Sequence, residues 1–418
     1  MNELIRIPLK YLADVFNGNS IPDDQKDSFQ NKEIPYIPTK EIDQSTGTIN
    51  YDNGLSVNME DGFRIAPANS SLLCIEGGSA GKKIAFTNRK VAFVNKLCCI
   101  HAVNANQKYL HYCLQSSDFS EQFGLFLTGM IGGVTVSDLK NIPVSIVSNN
   151  REKQVAIANK LDEHISRIDS LVCNQEEIVQ KLKNYKQSII TEVVTRGLNP
   201  HVQMKDSGNK WIGTIPESWK ISKVKYVSSL VTDGAHVSPD YDEQGYDYIS
   251  TTNIDEGTIH FEGCIKTSEE SYRGFVSSGC KPLKGDVLIS KDGSVGKTVI
   301  INFDRDFVVG SSLVIIRPIP SIILKEFLNY NLMADFVQKQ LLLIMHGTAL
   351  KRVSVQKNAN LPVVLPSIDE QRMIVNYLDL KCSRIDSLIK LKTEKIRKLK
   401  EYKKSIIYEF VTGKKEVV

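Results

Sequence analysis

The spacing of hydrophobic residues is most regular in two long segments of the chain. From residue 154 to 195, and again from 371 to 412, apolar residues recur at steps of three and four, which is the spacing of one face of an α-helix. Neither segment contains glycine or proline, and Gly197 and Gly413 follow them, where a helix commonly ends. The pattern predicts two amphipathic helices of about 32 residues, each roughly 48 Å long.

The two helical segments are copies of each other. They align without a gap at an offset of 217, with 23 of 42 positions identical, and both keep SRIDSL and YKxSII. The apolar positions follow heptad spacing, which predicts that the helices pack on each other; the alternative is that each helix docks only on its own domain. The residues predicted to form the seam, including a polar interruption in each copy, are Leu161, Ile168, Val172, Gln175 and Leu182, and Leu378, Ile385, Ile389, Lys392 and Leu399.

The segments before the helices repeat more faintly. LKYL (9–12) matches VKYV (224–227), and YIPTKEIDQSTGTI (36–49) matches YISTTNIDEGTI (248–259). Short β-branched runs separated by glycine turns indicate mixed domains with strands and a few helices. The sequence therefore predicts an α+β protein with an internal pseudo-two-fold repeat, in the order domain (1–150), helix (151–198), domain (199–366) and helix (367–418).

The composition is that of a globular protein, and the distribution of charge limits how the chain can bind nucleic acid. Hydrophobic residues make up 41% and charged residues 24% of 418 residues, enough for more than one domain. The four segments carry net charges of −2, +1, 0 and +5, so any nucleic-acid surface is local or shared with a partner. The chain shows neither a secretory signal nor an 18-residue apolar run, and we expect a cytoplasmic protein without a membrane partner.

A segment that resembles a nucleotide-binding loop occurs in two defective copies. KDGSVGKTVI (291–300) ends like the phosphate-binding loop, but Lys291 stands where the pattern requires glycine. EGGSAGKKIAF (76–86) repeats it, with Gly78, Ser79, Gly81 and Lys82 matching Gly293, Ser294, Gly296 and Lys297. A strand, a glycine turn and a second strand fit a hairpin on a DNA backbone or groove. The alternative is a turn that carries solvated lysines.

Three motifs resemble the DNA-specificity subunit of type I restriction–modification systems over essentially the whole chain. They are MKDSGNKWIGTIPESW (204–219), which occurs once, LPSIDEQRMIVNYLD (365–379) with its weaker partner NNREKQVAIANKLD (149–162), and the SRIDSL and YKxSII repeats. The resemblance implies two target-recognition domains, each reading half of a split double-stranded DNA sequence, and two spacer helices that pair as an antiparallel coiled coil.

The resemblance also implies what this chain lacks and what its partners supply. It implies a non-catalytic subunit on which two adenine-N6 methyltransferase subunits and motor-nuclease restriction subunits assemble. S-adenosylmethionine, ATP and Mg would bind those partners, and this chain would bind no cofactor or metal. We expect EKQ (152–154) and EQR (370–372) to belong to the surface that receives the methyltransferases.

Three pairs of segments are candidates for DNA contact: the two glycine loops, the loops 127–138 and 345–356, and the matched PTKEI and STTNI. Arg and Lys pair with guanine edges and Asn with adenine, although PTKEI and STTNI equally fit an ordinary strand end. The candidate residues are Thr39, Lys40, Ser79, Lys82, Lys83, Thr251, Thr252, Asn253, Lys291, Ser294, Lys297, Lys351 and Arg352.

Two other functions compete with DNA recognition. One is a coiled-coil scaffold that reads no sequence. The other is a nucleotide hydrolase or nuclease, for which Asp138-x-Lys140, Asp379-x-Lys381 and Glu401-x-Lys403 are the nuclease-like fragments. The chain has no N-P-P-Y/F/W methyltransferase motif, intact ATP loop or metal-ligand cluster in its sequence, and the wide difference between the domains on near-identical helices favours two different readers.

Overall fold

The computed structural model describes residues 4–128, 132–147, 150–345 and 351–416. The chain divides into a first unit, Met1–Glu177 with Lys392–Val418, and a second unit, Ile178–Leu391. Each unit contains a mixed α/β domain and part of both long helices. No helix in the described residues is long and apolar enough to cross a membrane.

The first unit is built from short strands and short helices. Its strands are β1 (Ile5–Pro8), β2 (Ala13–Asn17), β3 (Ile34–Ile37), β4 (Ser56–Val57), β5 (Ile65–Ala66), β6 (Ser71–Cys74), β7 (Ile84–Phe86), β8 (Val91–Phe93), β9 (Leu97–Ala102) and β10 (Pro143–Ile146). Its α-helices are α1 (Gln107–Cys113), α2 (Ser117–Leu125), α3 (Val136–Asn141) and the start of α4 (Arg151–Arg196). Its 3-10 turns are Leu9–Tyr11, Asp23–Ser28, Thr39–Glu41 and Met59–Asp61.

Two four-stranded sheets form the first domain. One has the order β2-β9-β6-β7 and is antiparallel throughout, and the other has the order β4-β3-β8-β5 with β3 and β8 parallel. Strand β6 reads Ser-Leu-Leu-Cys and is buried at every position, as the near-continuous apolar run of an internal strand requires. Strands β1 and β10 pair separately and bring the two ends of the domain together.

The second unit follows the same plan with more elements. Its strands are β11 (Met204–Asp206), β12 (Thr214–Pro216), β13 (Lys220–Lys223), β14 (Ser228–Asp233), β15 (Tyr241–Ile249), β16 (Ile254–Asp255), β17 (Thr258–Ile259), β18 (Ile265–Thr267), β19 (Val287–Ser290), β20 (Thr298–Ile300), β21 (Phe307–Val309), β22 (Leu313–Pro318) and β23 (Pro362–Leu365). Its helices are the 3-10 turn Thr251–Asn253, α5 (Val224–Val227), α6 (Glu269–Ser277), α7 (Lys325–Met333), α8 (Asp335–Ile344), α9 (Val355–Ala359) and the start of α10 (Ile368–Val411).

The sheets of the second unit reproduce those of the first. The order β14-β22-β19-β20 corresponds to β2-β9-β6-β7, the parallel pair β15-β21 corresponds to β3-β8, and β13-β23 corresponds to β1-β10. Motif 204–219 supplies the hairpin β11-β12, so the predicted connector is structured. The repeat found in the sequence is therefore a repeat of folds.

The two long helices pair antiparallel, which confirms the predicted fold class. In the first unit, the N-terminal half of α4 lies against the C-terminal half of α10, and Lys403 Nζ donates to Asp169 Oδ1 at 2.7 Å. In the second unit, the C-terminal half of α4 lies against the N-terminal half of α10, and Lys186 Nζ donates to Asp386 Oδ2 at 2.6 Å. The helices have 46 and 44 residues, longer than the predicted length of about 32, because each spans nearly the whole repeated segment of 42 residues and begins three residues before it.

Both helices also complete the core of each domain. In the first unit the shared core contains Ile157, Ala158, Leu161 and Ile165 of α4 and Ile406, Ile407, Phe410 and Val411 of α10. In the second it contains Ile189, Ile190, Val193 and Val194 of α4 and Ile374, Val375, Leu378, Cys382 and Ile385 of α10. Burying one such side chain contributes about 1.5–3 kcal/mol, so this packing outweighs any single ion pair between the helices.

The residues predicted for the seam lie along these contacts. Leu161, Ile168, Val172, Gln175, Leu378 and Ile385 are buried, and Leu182, Ile389, Lys392 and Leu399 are half-buried. The Gln175 amide oxygen has no hydrogen-bond partner within the described residues, a cost of about 1–3 kcal/mol. That cost fits the interpretation that this position serves register rather than stability.

The expectation for EKQ and EQR was wrong at their glutamines. Gln154 Oε1 accepts a hydrogen bond from the Asn106 amide at 2.7 Å, and Gln371 Oε1 accepts one from the Leu324 amide at 2.9 Å. Both glutamines are buried. They attach each helix to the short helix beside it in its own domain, so they are not free to receive a methyltransferase.

The ion pair between Lys403 and Asp169 predicts a measurable coupling between the helices. Its side chains are 14% and 30% exposed, against 24% and 53% for Lys186 and Asp386. In urea unfolding of the two single alanine variants and the double variant, we expect a coupling of about 1 kcal/mol for Lys403 and Asp169, since partly buried pairs exceed exposed ones. Lys186 and Asp386, the repeat-related pair, are the matched control and should show a smaller coupling. If the effects of the single variants on the free energy of unfolding add up for both pairs, the prediction is wrong.

Candidate nucleic-acid interface

Each glycine loop is the turn of an antiparallel hairpin. In the first unit β6 and β7 pair with Leu73 opposite Ile84, and in the second β19 and β20 pair with Ile289 opposite Thr298. Gly81 and Gly296 have φ of 71° and 93°, a backbone region that glycine adopts at little cost. A Cβ at Gly81 would lie 2.7 Å from the Phe123 ring, so the turn also depends on the absent side chain.

The backbone hydrogen bonds match the residues of the two hairpins differently from the sequence alignment. Cys74 N donates to the Lys83 carbonyl at 2.9 Å, and Ser290 N donates to the Lys297 carbonyl at 2.9 Å. Lys83, rather than Lys82, is therefore the counterpart of Lys297. The same hydrogen-bond register matches Gly77 with Gly293, because the first loop is two residues longer.

A second candidate loop lies against each hairpin. In the first unit Gly77 N donates to the Gly132 carbonyl at 2.9 Å, and Val134 N donates to the Ile75 carbonyl at 2.9 Å. The second unit has the same two bonds, between Gly293 N and the Lys351 carbonyl at 3.0 Å and between Val353 N and the Lys291 carbonyl at 2.8 Å. Parts of these loops, 129–131 and 346–350, lie outside the described residues.

The third candidate segment is joined to the hairpin by the matched lysines. Lys83 Nζ donates to the Thr39 carbonyl at 3.1 Å. Lys297 Nζ donates to the Ile254 carbonyl at 2.9 Å and to Asp255 Oδ1 at 3.0 Å. The hydrogen bond from Lys297 lowers the pKa of the Asp255 carboxyl. These two lysines thus hold the loops together, and their ammonium groups are already engaged.

The three candidate segments meet in each unit, although they are far apart in sequence. The most accessible cations among them are Lys40, with a side chain that is 80% exposed, Lys82, Lys351 and Arg352. Ser79 is half-buried, whereas Ser294 and Thr252 are exposed. An open cleft in the first unit is lined by residues of two segments, among them Lys40, Asp43, Asn50 and Lys83.

Several candidates have structural roles instead. Lys291 was a wrong choice for a DNA contact, because its side chain is 7% exposed and its ammonium lies 3.2 Å from Asp292 Oδ2 and 3.5 Å from Asp233 Oδ2. Thr251 bonds to Ser312 through both its amide and its hydroxyl. Asn253 Oδ1 caps its 3-10 turn by accepting from the Ser250 amide at 3.0 Å. Thr251 and Asn253 therefore fit the strand-end alternative, while the Thr39 hydroxyl is buried without a hydrogen-bond partner in the described structure.

The nuclease-like fragments do not form a site together. Asp138 lies in the first turn of α3 and accepts from the hydroxyl of the capping Thr135 at 2.6 Å, and Asp379 accepts from the Tyr330 hydroxyl at 2.6 Å. Glu401 pairs with Arg397 on the surface of α10. Across the described ranges, no group of three or more His, Cys, Asp or Glu side chains is placed to hold a metal ion.

Two sets of residues were missed at the sequence level. The lysines and aspartates that bridge the helices lie inside SRIDSL and YKxSII, so the intact repeats already marked them. Asp292 was overlooked because its partner Arg352, with Nε 3.0 Å from Asp292 Oδ1, is distant in sequence. No local pattern indicates that pair.

Comparison with known proteins agrees with the fold and the repeat. Residues 7–180 and 216–401 match the family described as "Type I restriction modification DNA specificity domain". The chain belongs to this family of specificity subunits, which are non-catalytic members of type I restriction–modification systems.

Two curated relatives and one solved structure illustrate the similarity. The Type I restriction enzyme MjaVIII specificity subunit of Methanocaldococcus jannaschii is 23% identical over 359 residues, 84% of this chain and 80% of that protein. The EcoBI specificity subunit of Escherichia coli is 25% identical over 268 residues, 62% of this chain and 56% of that protein. A chain solved in a study of complex assembly and conformational transition of the type I R-M system has a TM-score of 0.66 at 18% identity, covering 98% of both chains. This last likeness concerns the fold alone.

The exposed Lys40 predicts a DNA backbone contact in the first unit. Measured on the chain assembled with its restriction–modification partner subunits, Lys40→Ala should weaken binding to all DNA sequences alike. It should also reduce the salt slope of the affinity by about one unit, since each neutralised phosphate releases counterions. Lys398→Ala, on the outer surface of α10 and 70% exposed, is the matched control and should keep the slope. An unchanged slope in both variants would place the backbone contact elsewhere.

Proposed function

We propose that this chain binds double-stranded DNA, reads a bipartite target through its two domains, and directs adenine-N6 methyltransferase and motor-nuclease partners to that target. The observation that supports this most is the meeting of the same three segments in each unit on a shared frame of strands. The side chains on that frame differ: Gly132 and Gly133 stand where the second unit has Lys351 and Arg352. Two readers with different side chains would read two different half-sites.

The charge distribution supports a reader that works through local contacts and shares the DNA with partners. The second domain, 199–366, carries equal numbers of basic and acidic residues, and the whole chain has a net charge of +4. Nonspecific affinity for DNA depends on the number of phosphates neutralised. A few exposed lysines therefore supply orientation, and partner subunits supply most of the remaining affinity.

Repeated exposed apolar residues support a partner that binds twice. Leu171 and Leu388 are repeat-related, as are Tyr185 and Tyr402, and all four side chains are about half exposed on the long helices. Large apolar residues kept exposed in both copies fit an interaction surface better than chance scatter. One methyltransferase subunit on each copy is the arrangement proposed, with S-adenosylmethionine, ATP and Mg held by partner subunits.

The proposal is tested by co-expressing the chain with its methyltransferase and mapping N6-methyladenine by sequencing. We expect a complex with two methyltransferases per chain and methylation confined to one split motif. The methyltransferase expressed alone is the control and should leave DNA unmethylated. If it methylates the same motif alone, this chain does not read the target. Methylation without a motif by the assembled complex would instead favour the scaffold alternative.

A further inference from the structure

Arg352 is held at a fixed backbone position beside the second glycine hairpin. Gly293 N donates to the Lys351 carbonyl on one side of it, and Val353 N donates to the Lys291 carbonyl on the other. These two hydrogen bonds create a bridge that sets Arg352 directly opposite Asp292. The backbone under this side chain is therefore fixed by the hairpin, unlike that of an arginine on a free loop.

The Arg352 side chain forms an ion pair with the Asp292 carboxylate. Arg352 Nε lies 3.0 Å from Asp292 Oδ1, and the two side chains are 62% and 10% exposed. Asp292 is itself supported from below by the buried Lys291 ammonium, which also lies 3.5 Å from Asp233. Asp292 Oδ1 accepts no hydrogen bond within the described residues, so the contact is an ion pair. The carboxylate lies beside Nε, and the exposed end of the guanidinium carries a planar pair of N–H donors for another acceptor.

The charges around Arg352 favour a base edge over a phosphate. Arg352 and Lys291 are positive, Asp292 and Asp233 are negative, and the four groups together carry no net charge. Such a cluster gains little from counterion release on a phosphate backbone. An exposed guanidinium with a planar pair of terminal N–H donors still matches the O6 and N7 acceptors of guanine in the major groove.

The first unit has the same backbone arrangement, with a glycine at the position of Arg352. Gly133 lies opposite Glu76 in the equivalent bridge, flanked by the equivalent two hydrogen bonds. A Cβ added at Gly133 would lie 3.7 Å from Glu76 Cγ, an ordinary van der Waals distance. The position can therefore accept a side chain, with a carboxylate already in place beside it.

From this geometry we propose that Arg352 reads a guanine in the half-site of the second domain and that Asp292 is its positioning residue. The first domain, with glycine at the equivalent position, makes no such contact. The assignment rests on the proposed function and adds the identity of one base and the pair of residues that selects it.

The loss-of-function test uses the chain assembled with its methyltransferase. Rates of methylation are measured on a panel of DNAs that change each base pair of the second half-site in turn. Arg352→Ala should lose roughly five- to hundred-fold discrimination at one G·C pair, with the other positions unchanged. Asp292→Asn should relax the same pair, by less, and it should add nothing in the Arg352→Ala background. Lys351→Ala, the matched control for lost charge, should weaken all sequences alike.

The gain-of-function test places an arginine at the equivalent position of the first domain. Gly133→Arg should pair with Glu76 and add a preference for guanine, roughly five-fold or more, at one position of the first half-site. Arg352→Gly is the reciprocal variant and should give the same relaxed specificity as Arg352→Ala. It provides a result even if Gly133→Arg does not assemble with its partners.

The outcomes separate this inference from the proposed function. If the wild-type complex methylates a split motif but Arg352→Ala leaves every base preference intact, the proposed function stands and the inference fails. The inference also fails if Asp292→Asn relaxes a different base pair from Arg352→Ala. If the wild-type complex shows no sequence preference, both fail.

Discussion

The constraint on which the structure depends is that neither domain completes its core with contiguous chain. The core of the first unit needs Ile406, Phe410 and their neighbours from the far end of the sequence, and the core of the second needs residues of both helices in the same way. The antiparallel pairing of α4 and α10 is therefore a condition for folding the domains. The Lys–Asp bridges then set the register of that pairing at repeat-related positions, and the buried Gln154 and Gln371 attach each helix to its own domain.

This constraint explains why the two copies of the helix are so similar in sequence while the two copies of the loops are not. A change on a helix disturbs both the helix pair and a domain core, so the two copies retain 23 of 42 identical positions. A change at an exposed loop position such as Arg352 leaves the frame intact, because the backbone hydrogen bonds that flank it involve its neighbours. Gly133 and Arg352 occupy the same position of this frame in the two units with very different side chains.

The sequence was sufficient for the parts of the structure that repeat. Helix spacing, the capping glycines and the offset of 217 predicted two long paired helices between mixed domains, and the glycine turns predicted both hairpins. It was insufficient for contacts between distant residues. Lys291 looked like a DNA contact until its ion pairs with Asp233 and Asp292 placed it in the interior. Lys82 was matched to Lys297 because an alignment does not register a loop two residues longer, whereas backbone hydrogen bonds do.

The central claim is that each domain is an independent reader on a common frame. It is tested most directly by replacing the second domain, from β13 through β23, with the corresponding segment of a family member that has a different target, and mapping methylation by sequencing. One half of the target should change to that of the donor, while the other half and the distance between the two halves stay the same. A change in both halves, or an unchanged target from a fully assembled complex, would contradict the claim.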